Sequence, residues 1–289
     1  MTVGVLGAGA LGQLLAHQLI EHGLPAHLLT RPGGQPETLP HQLIGLDGQT
    51  RQAELPRHPS DRPNPLSLVL VLTKAHHCLE ALAPLMTWLP NSVPVVLLHN
   101  GLGPQFEAPK RWPTHSWWAG SLTDGALRLA PRQVRHTGQG VRRAGPLGPD
   151  APIPPALATL GFESDPDILA ALWQKLTVNL VINPLTARDR VPNGALLKAA
   201  YQPEIAALCQ EITALGQALG YPEPAEAVRD RVLTVAQATA ANRSSMLQDV
   251  EAGRPTELPA ITGYLLAEAR RLELPCPHHR RLMASLAPA

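Results

Sequence analysis

Short apolar segments alternate with helical periodicity over the first hundred residues. "TVGVLG" at residues 2–7 is apolar and ends in glycine, which predicts a buried parallel strand. Leucines at helical spacing between Ala10 and His22 predict a helix that Gly23 terminates. "AHLLTR", "LSLVLVLT" and "VPVVLLHN" predict three further core strands, with a helix over 76–88 between the last two. The repeated order of strand, helix and strand predicts a doubly wound parallel sheet.

The pattern changes twice in the remainder of the chain. Between Ser116 and Leu147, "GALRLAP" and "RQVRHTGQGVRRAGPLG" predict short antiparallel strands. Beyond Asp165, apolar residues recur at helical spacing over 167–182, 194–219, 224–240, 245–252 and 257–272. We therefore predict two domains: an α/β Rossmann-like domain over 1–165 and an all-α domain over 166–289.

Composition and charge are those of an ordinary globular protein. The 289 residues are 44% hydrophobic and 3% aromatic, with a formal net charge of +1. No basic run with interleaved aromatic residues occurs, so we expect no nucleic-acid partner. The longest apolar runs are too short to span a bilayer, and the N-terminus has no secretory-signal pattern. Cys78, Cys209 and Cys276 are scattered and odd in number, which favours reduced thiols and a cytoplasmic location.

Two histidine pairs, His76–His77 and His278–His279, raise the question of a metal site. Adjacent histidines point apart on a helix, and these pairs have no acidic partners at ligand spacing. We therefore predict no metal site and interpret both pairs as solvent-exposed.

A glycine motif, Gly7-x-Gly9-x-x-Gly12, lies between the first predicted strand and the first predicted helix. A glycine-rich turn alone is weak evidence, but here the surrounding βαβ unit is also present. The first glycine makes the tight turn, the second lets a diphosphate approach, and the third lets helix and strand pack closely. The predicted dinucleotide-binding residues of this turn are Gly7, Ala8, Gly9, Ala10, Leu11 and Gly12.

The end of the second strand indicates which dinucleotide is bound. NAD-selective sites place an acidic residue there, whereas this chain has "LLTR", ending in Arg31. A guanidinium suits the 2′-phosphate of NADP, although a solvated arginine is the alternative in a chain with many arginines. Lys74 and Asn100 end two later core strands and are expected to face the cofactor.

The segment "WQKLTVNLVINPLT" places three polar residues, Lys175, Asn179 and Asn183, at intervals of four in an apolar helix. Steps of four residues drift only about 40° around a helix, so the three share one stripe. Such a stripe is either the exposed face of a surface helix or the wall of a polar cleft. Pro184 predicts a helix end or kink at Asn183.

Four separated blocks are similar to the ketopantoate reductases (2-dehydropantoate 2-reductases) over essentially the whole chain. They are "GAGALG" with Arg31, "LTKA" with "HNGLG", "WQKLTVNLVINPLTA" with "PNG", and "NRSSMLQDVEAGRPTE". The resemblance implies NADPH-dependent reduction of ketopantoate to (R)-pantoate, on the way to pantothenate and coenzyme A. It also implies a helical domain like the C-terminal domain of 6-phosphogluconate dehydrogenase.

The resemblance further implies a role for each matched residue. Lys175 is the implied proton donor, and Glu257 lies between cofactor and substrate. The glycine turn, Arg31, Lys74 and the backbone near Ala126 belong to the implied NADP site. The implied substrate-binding residues are Asn100, Lys175, Asn179, Asn183, Asn193 and Ser245. Of these, Asn100 is implied to touch the cofactor as well.

The implied roles agree with what the chemistry needs. Hydride arriving at a ketone carbon leaves negative charge on the oxygen, which a lysine ammonium stabilises and then protonates. Arginine holds its proton too tightly to donate it. Two of the matched residues also have structural interpretations: Ser245 as a helix cap, and Glu257 in a first helical turn capped by Thr256.

Two positions depart from the family pattern: Asp124, where a histidine is common, and the run "TELPAITG" after Glu257. They keep open a reductase of another small 2-oxo or β-hydroxy acid. A non-catalytic NADPH-binding regulator is a third interpretation, although it would be expected to lack the lysine or the glutamate. We expect a monomer or homodimer that takes a small 2-oxo acid as substrate.

Overall fold

The computed structural model describes residues 1–286 and divides into two compact units. The first contains Met1–His99 and Pro104–Leu169, and the second contains Asn100–Gly103 and the chain from Ala170 onward. The first unit is built on a sheet and the second on helices, which confirms the predicted fold class. The short segment Asn100–Gly103 joins the helical unit although the residues on either side of it do not.

The sheet of the first unit contains eleven strands within residues 1–286. They are β1 (Thr2–Leu6), β2 (Ala26–Thr30), β3 (Glu37–Ile44), β4 (Thr50–Pro59), β5 (Leu66–Val71), β6 (Val95–Leu97), β7 (Trp117–Leu122), β8 (Gly125–Ala130), β9 (Gln133–Gly138), β10 (Arg142–Pro146) and β11 (Glu163–Ser164). The spatial order is β11-β10-β7-β6-β5-β1-β2-β4-β3-β9-β8. Within the run β7-β6-β5-β1-β2-β4, each pair of neighbours is parallel, as predicted for β1, β2, β5 and β6. The hairpins β3–β4 and β8–β9 and the β7–β10 pair are antiparallel.

Helices cover both faces of this sheet. They are α1 (Ala10–Glu21), α2 (Cys78–Leu85), α3 (Pro104–Arg111) and α4 (Pro155–Thr159). Successive strand residues point to opposite faces, so Leu28 packs with Leu15 of α1 while Leu29 packs with Leu82 of α2. Two buried apolar layers result, which is why the central strands are apolar in almost every position.

The helical unit contains the remaining helices. They are α5 (Ile168–Asp189), α6 (Gln202–Ala218), α7 (Ala225–Ala238), α8 (Ser245–Glu251), α9 (Leu258–Arg271) and α10 (Pro277–Ser285). Short 3-10 turns lie at Ala75–His77, Asn193–Leu197 and Ala199–Tyr201. The helix predicted over 194–219 therefore starts later, at Gln202, where Pro203 occupies its first turn. Helix α10 was not predicted.

Helix α5 continues past Pro184 for another turn, so the prediction that it ends at residue 182 is wrong. Thr186 lies in the turn after Pro184, where its hydroxyl oxygen is 2.7 Å from the carbonyl oxygen of Ile182 and 3.1 Å from that of Asn183. Leu180 and Leu185 are fully buried, and this packing offsets the hydrogen bond that proline cannot make. Helix α5 is long and apolar enough to cross a membrane, but 67% of its most apolar 18-residue stretch is buried inside the protein.

The interpretation of His278–His279 as a solvent-exposed pair is wrong for His279, which is fully buried. Glu211 of α6 accepts hydrogen bonds from the backbone N–H of His278 (2.6 Å) and His279 (3.0 Å), and from Nδ1 of His279 (2.7 Å). Burial lowers the pKa of His279 despite the carboxylate, while the His279 and backbone hydrogen bonds overcome burial and lower the pKa of Glu211. An ionised glutamate therefore caps the N-terminus of α10.

We expect Glu211→Gln to lower the free energy of unfolding by about 2–3 kcal/mol, because hydrogen bonds to a charged group are lost. The side-chain amide nitrogen of the new glutamine would also face the backbone N–H groups and the His279 ring N–H, which only donate hydrogen bonds. Urea denaturation measures the change, and the exposed Glu226 of α7 provides a matched control. Glu226→Gln should cost less than about 0.5 kcal/mol. Equal effects of the two substitutions would contradict this account of the cap.

Candidate functional site

The glycine turn after β1 has no room for side chains at two of its three glycines. Gly7 has φ +111°, and a Cβ there would lie 2.6 Å from the backbone of Leu72 and Thr73. A Cβ on Gly12 would lie 2.0 Å from the carbonyl oxygen of Gly7. The first glycine therefore permits the turn, and the third permits α1 to pack against it.

Gly9 differs, because no atom beyond its chain neighbours lies within 4 Å of where its Cβ would be. It is the N-cap of α1, makes no side-chain cap, and is followed by a first turn without acidic residues. Ala8, Ala10 and Leu11 are half-buried and pack onto the apolar layers beneath α1. Open space beside an uncapped helix N-terminus fits an anionic diphosphate, so the turn fits a dinucleotide cofactor.

Three predicted cofactor residues follow the carboxyl ends of adjacent parallel strands. Gly7 follows β1, Arg31 follows β2 and Lys74 lies just beyond β5, and the register pairs Leu6 with both Leu29 and Val71. Arg31 is exposed and Lys74 is half-buried. The sheet thus brings the three to one edge, where ligands of such folds bind. Ala126 lies in β8 and packs on the small apolar cluster around Leu14, Leu43 and Val134.

Asn100 and Glu257 are in contact within the helical unit, although 157 positions separate them. Nδ2 of Asn100 donates to Oε2 of Glu257 at 3.0 Å. Gly101 makes this approach possible, since it has φ +83° and a Cβ there would lie 2.5 Å from the carbonyl oxygen of Ala260. Glu257 is the N-cap of α9 without a side-chain cap bond, while Oγ1 of Thr256 accepts from the Leu258 amide at 3.3 Å. The Glu257 carboxylate therefore faces Asn100 instead of capping α9.

A narrow cleft in the helical unit is lined by residues from three helices. Its walls are Asn183 of α5, Ser245, Met246 and Asp249 of α8, and Glu257 and Ile261 at the start of α9. Ser244, and not Ser245, caps α8: its Oγ accepts from the Leu247 amide at 3.1 Å. Oγ1 of Thr186 lies 2.7 Å from the same oxygen, and this hydrogen bond holds α8 against α5. Ser245 is thereby left exposed in the cleft instead of capping the helix.

The polar stripe of α5 is not a solvent-exposed face. Asn183 is 8% exposed, and Asn179 and Lys175 are half-buried one and two turns before it. Gln174, which is exposed, marks the side of the helix that faces solvent. These burial values favour the interpretation of the stripe as part of a polar wall.

Asp249 also lines the cleft and was not predicted. It follows Ser245 by four residues, so the two lie on one face of α8. Nε of Arg254 lies 2.8 Å from its Oδ1, which partly neutralises the carboxylate. The helical spacing from Ser245 could have indicated it.

Asn193 does not line this cleft. It is 7% exposed at the start of a 3-10 turn, where its Nδ2 donates to Oγ1 of Thr239 at 2.9 Å. Its backbone amide donates to the carbonyl of Asn242, and its Oδ1 is buried without a hydrogen-bond partner. The structure therefore ties Asn193 to the end of α7.

Asp124 forms a buried ion pair in the first unit. Arg142 donates to both carboxylate oxygens, at 2.9 and 2.6 Å, and Nε2 of His136 lies 3.4 Å from Oδ1. Burial by itself raises the pKa of Asp124, but the Arg142 hydrogen bonds and the Arg142 and His136 charges hold that pKa below its usual value. The carboxylate side chain has no exposed surface, so this family departure places a buried ion pair between the β7–β8 turn and β10.

We expect the difference in unfolding free energy between the wild type and Asp124→Asn to depend on pH. A folded-state pKa below the usual value contributes stability above about pH 4, the pKa of an unfolded aspartate, and loses it as pH falls further. The difference should thus be full at neutral pH and shrink below about pH 4. Urea denaturation across this range measures it. Asp230 is exposed, so Asp230→Asn should change the unfolding free energy little and without this decline at low pH. A free-energy difference for Asp124→Asn that stays constant with pH would contradict the prediction.

Comparisons with known proteins cover almost the whole chain. The family model for Ketopantoate reductase PanE/ApbA matches residues 3–149, and that for its C-terminal part matches residues 167–288. The 2-dehydropantoate 2-reductase of Vibrio cholerae is 37% identical over 286 residues, covering 96% of this chain and 94% of the relative. That of Bacillus subtilis is 31% identical over 297 residues, covering 99% and 96%.

Solved structures agree with these relatives. A probable 2-dehydropantoate 2-reductase from Bacillus subtilis has a TM-score of 0.82 and 29% identity, covering 99% of this chain and 98% of that one. D-mandelate dehydrogenase with NADH and anilino(oxo)acetate has a TM-score of 0.89 at 19% identity, covering 99% and 96%, and supports the fold alone. With both family models matched along nearly its full length, this chain belongs to the ketopantoate reductase family.

Proposed function

We propose that this protein reduces 2-dehydropantoate (ketopantoate) to (R)-pantoate with NADPH. The observation that carries the proposal is the match of both family models, together with full-length relatives named 2-dehydropantoate 2-reductase. The site agrees with it: one unit has an open glycine turn that fits a dinucleotide, and the other has a polar cleft on α5, α8 and α9.

The nicotinamide, when bound, supplies the hydride for the 2-oxo carbon of the substrate. We assign Lys175 to the ketone oxygen of the substrate. Its ammonium stabilises the negative charge that develops on this oxygen and then donates the proton that completes the hydroxyl. The neutral amine regains its proton from water. Hydride and proton together convert the ketone to a secondary alcohol, so electrons and protons balance.

The remaining cleft residues hold the substrate in this proposal. Asn179 and Asn183 offer amides to its hydroxyl and carboxylate without adding charge, and Ser245 offers a hydroxyl. Asn100 fixes the Glu257 carboxylate through the 3.0 Å hydrogen bond. Asn193 is assigned to the substrate by resemblance; its Nδ2 is held by Thr239, and its Oδ1 has no hydrogen-bond partner within residues 1–286.

We assign NADP binding to residues 1–165. In this assignment Arg31 binds the 2′-phosphate, and Lys74 and the backbone near Ala126 contact other parts of the cofactor. Residues 166–289 carry the substrate site and the catalytic lysine. We also propose a cytoplasmic protein, monomeric or homodimeric. All three cysteines, Cys78, Cys209 and Cys276, are free and buried, as suits a reducing compartment.

The test is NADPH oxidation with ketopantoate beside pyruvate, 2-oxoisovalerate and phenylpyruvate, repeated with NADH. We expect kcat/KM to be highest for ketopantoate with NADPH. A higher value for another 2-oxo acid would move the proposal to that substrate. NADPH binding without turnover of any 2-oxo acid would indicate a binding protein and reject the enzymatic assignment.

A further inference from the structure

Gln13 is a fully buried polar residue beside the glycine turn. It lies in the first half of α1, directly after Gly12, and has no exposed surface. It falls outside the blocks that resemble the reductase family, so the resemblance assigns it no role. A buried amide is costly unless its hydrogen bonds are made, so the contacts of Gln13 show what it holds in place.

Gln13 binds two successive backbone carbonyls of the glycine turn. Its side-chain Nε2 donates to the carbonyl oxygen of Ala8 at 3.0 Å, and its backbone N–H donates to that of Gly9, also at 3.0 Å. These carbonyls belong to the Ala8–Gly9 and Gly9–Ala10 peptide bonds. One residue therefore fixes the peptide planes on both sides of Gly9.

The orientation of these two peptide planes decides where their N–H groups point. No cis peptide bond occurs within residues 1–286, and in a planar trans peptide the N–H points opposite to the C=O. With both carbonyls bound to Gln13, the N–H groups of Gly9 and Ala10 point away from it. They lie at the N-terminus of α1 and have no acceptor within that helix. They are thus left for an anionic ligand, for which there is open space beside Gly9.

The other contacts of Gln13 anchor it to the sheet. The second hydrogen of Nε2 goes to the carbonyl oxygen of Pro131, 3.0 Å away in the turn between β8 and β9. Carbonyls only accept, so the Gln13 amide oxygen is the atom 3.2 Å from Nδ1 of His41 in β3, and it accepts the hydrogen of that nitrogen. Gln13 thereby ties the glycine turn to β3 and to the end of β8, the strand that carries Ala126.

We propose that Gln13 is a positioning residue for NADPH, because it holds the peptide planes around Gly9 so that their N–H groups meet the cofactor diphosphate. The proposal rests on the proposed function, since NADPH is the ligand. The Gln13 amide is already engaged by Ala8, Pro131 and His41, so it acts through the backbone and not by touching the cofactor. A glycine peptide is conformationally free, and fixing it before binding removes an entropic cost from the affinity.

The first experiment measures the kinetics of Gln13→Met with NADPH and ketopantoate. Methionine removes the amide but keeps a long unbranched side chain, so the buried site stays filled. The KM for NADPH should rise about fivefold or more, because the Ala8 carbonyl loses its hydrogen bond and no longer fixes its peptide plane. The kcat at saturating NADPH and the KM for ketopantoate should stay near the wild-type values.

Gln18→Met is the matched control for this variant. It makes the same change in the same helix, at a side chain whose amide oxygen has no hydrogen-bond partner within residues 1–286. It should leave all three kinetic constants unchanged. Gln13→Leu repeats the test with an apolar side chain of another shape, so that a packing fault peculiar to methionine is recognised.

The kinetic pattern separates positioning from a merely structural role. A variant that is only destabilised loses active molecules, which lowers kcat and leaves the KM for NADPH unchanged, whereas weaker cofactor binding raises that KM. An unchanged KM for NADPH in both Gln13 variants, with or without a lower kcat, would overturn the proposal.

The wild-type protein provides a test that needs no variant. Hydrogen exchange at the Gly9 and Ala10 amides, followed by NMR, should slow about tenfold or more when NADPH binds, because the diphosphate supplies the missing acceptor. Exchange that stays equally fast at both amides with NADPH bound would overturn the proposal. A wild type that does not bind NADPH would instead reject the proposed function, so the two failures are distinguishable.

Discussion

Replacing Lys175 by alanine is expected to lower kcat for ketopantoate reduction on the order of 10³-fold. Alanine removes both the positive charge at the carbonyl oxygen and the proton that completes the alcohol. The NADPH dissociation constant should change little, because the cofactor assignment rests on the glycine turn, Arg31 and Lys74. Steady-state kinetics measures the first quantity, and quenching of tryptophan fluorescence by NADPH measures the second.

Two further variants make the Lys175 result specific. Lys175→Arg keeps the charge but cannot readily release a proton, so it should recover only part of the lost rate and should shift the pH profile. Lys198→Ala removes an exposed lysine from the same unit and should leave kcat unchanged. A Lys175→Ala enzyme with near wild-type kcat would reject Lys175 as the proton donor, whatever the substrate.

Gly9→Ala is expected to weaken NADPH binding about tenfold or more, because a methyl group forced against the bound cofactor costs roughly 1–3 kcal/mol. The free energy of unfolding of the protein without NADPH should not change. The added methyl group meets no atom beyond its chain neighbours within 4 Å, so the folded protein accommodates it. The same space lies at the uncapped N-terminus of α1, where the diphosphate is expected. Fluorescence titration with NADPH and urea denaturation measure the two effects.

Gly12→Ala and Gly34→Ala are the controls for Gly9→Ala. A Cβ at Gly12 would lie 2.0 Å from the Gly7 carbonyl oxygen, so that variant should lose both stability and NADPH binding. Gly34 lies in an exposed loop where the nearest atom is 3.7 Å away, so its variant should lose neither. Unchanged NADPH affinity in Gly9→Ala would show that the diphosphate does not occupy the space beside Gly9.

Local patterns in the sequence determined much of this protein. The parallel strands, α1 and the glycine turn follow from hydrophobic runs and glycine spacing, because a buried strand and a tight turn impose constraints on a few neighbouring residues. The division into a sheet-based and a helical part follows from a change of periodicity for the same reason. The matched blocks also identified the family, which the comparisons confirmed.

The tertiary structure alone decided which distant residues meet. It joined Asn100 to Glu257, buried His279 against Glu211, and brought His41 to the same cavity as Arg57 and Arg132. No local pattern reports such contacts, because they depend on packing between segments far apart in the chain. Packing likewise carried α5 through Pro184, where proline predicted a helix end or kink at Asn183. The sequence therefore determined the elements and the family, while burial and contacts between distant segments decided the environment of each charged and polar side chain.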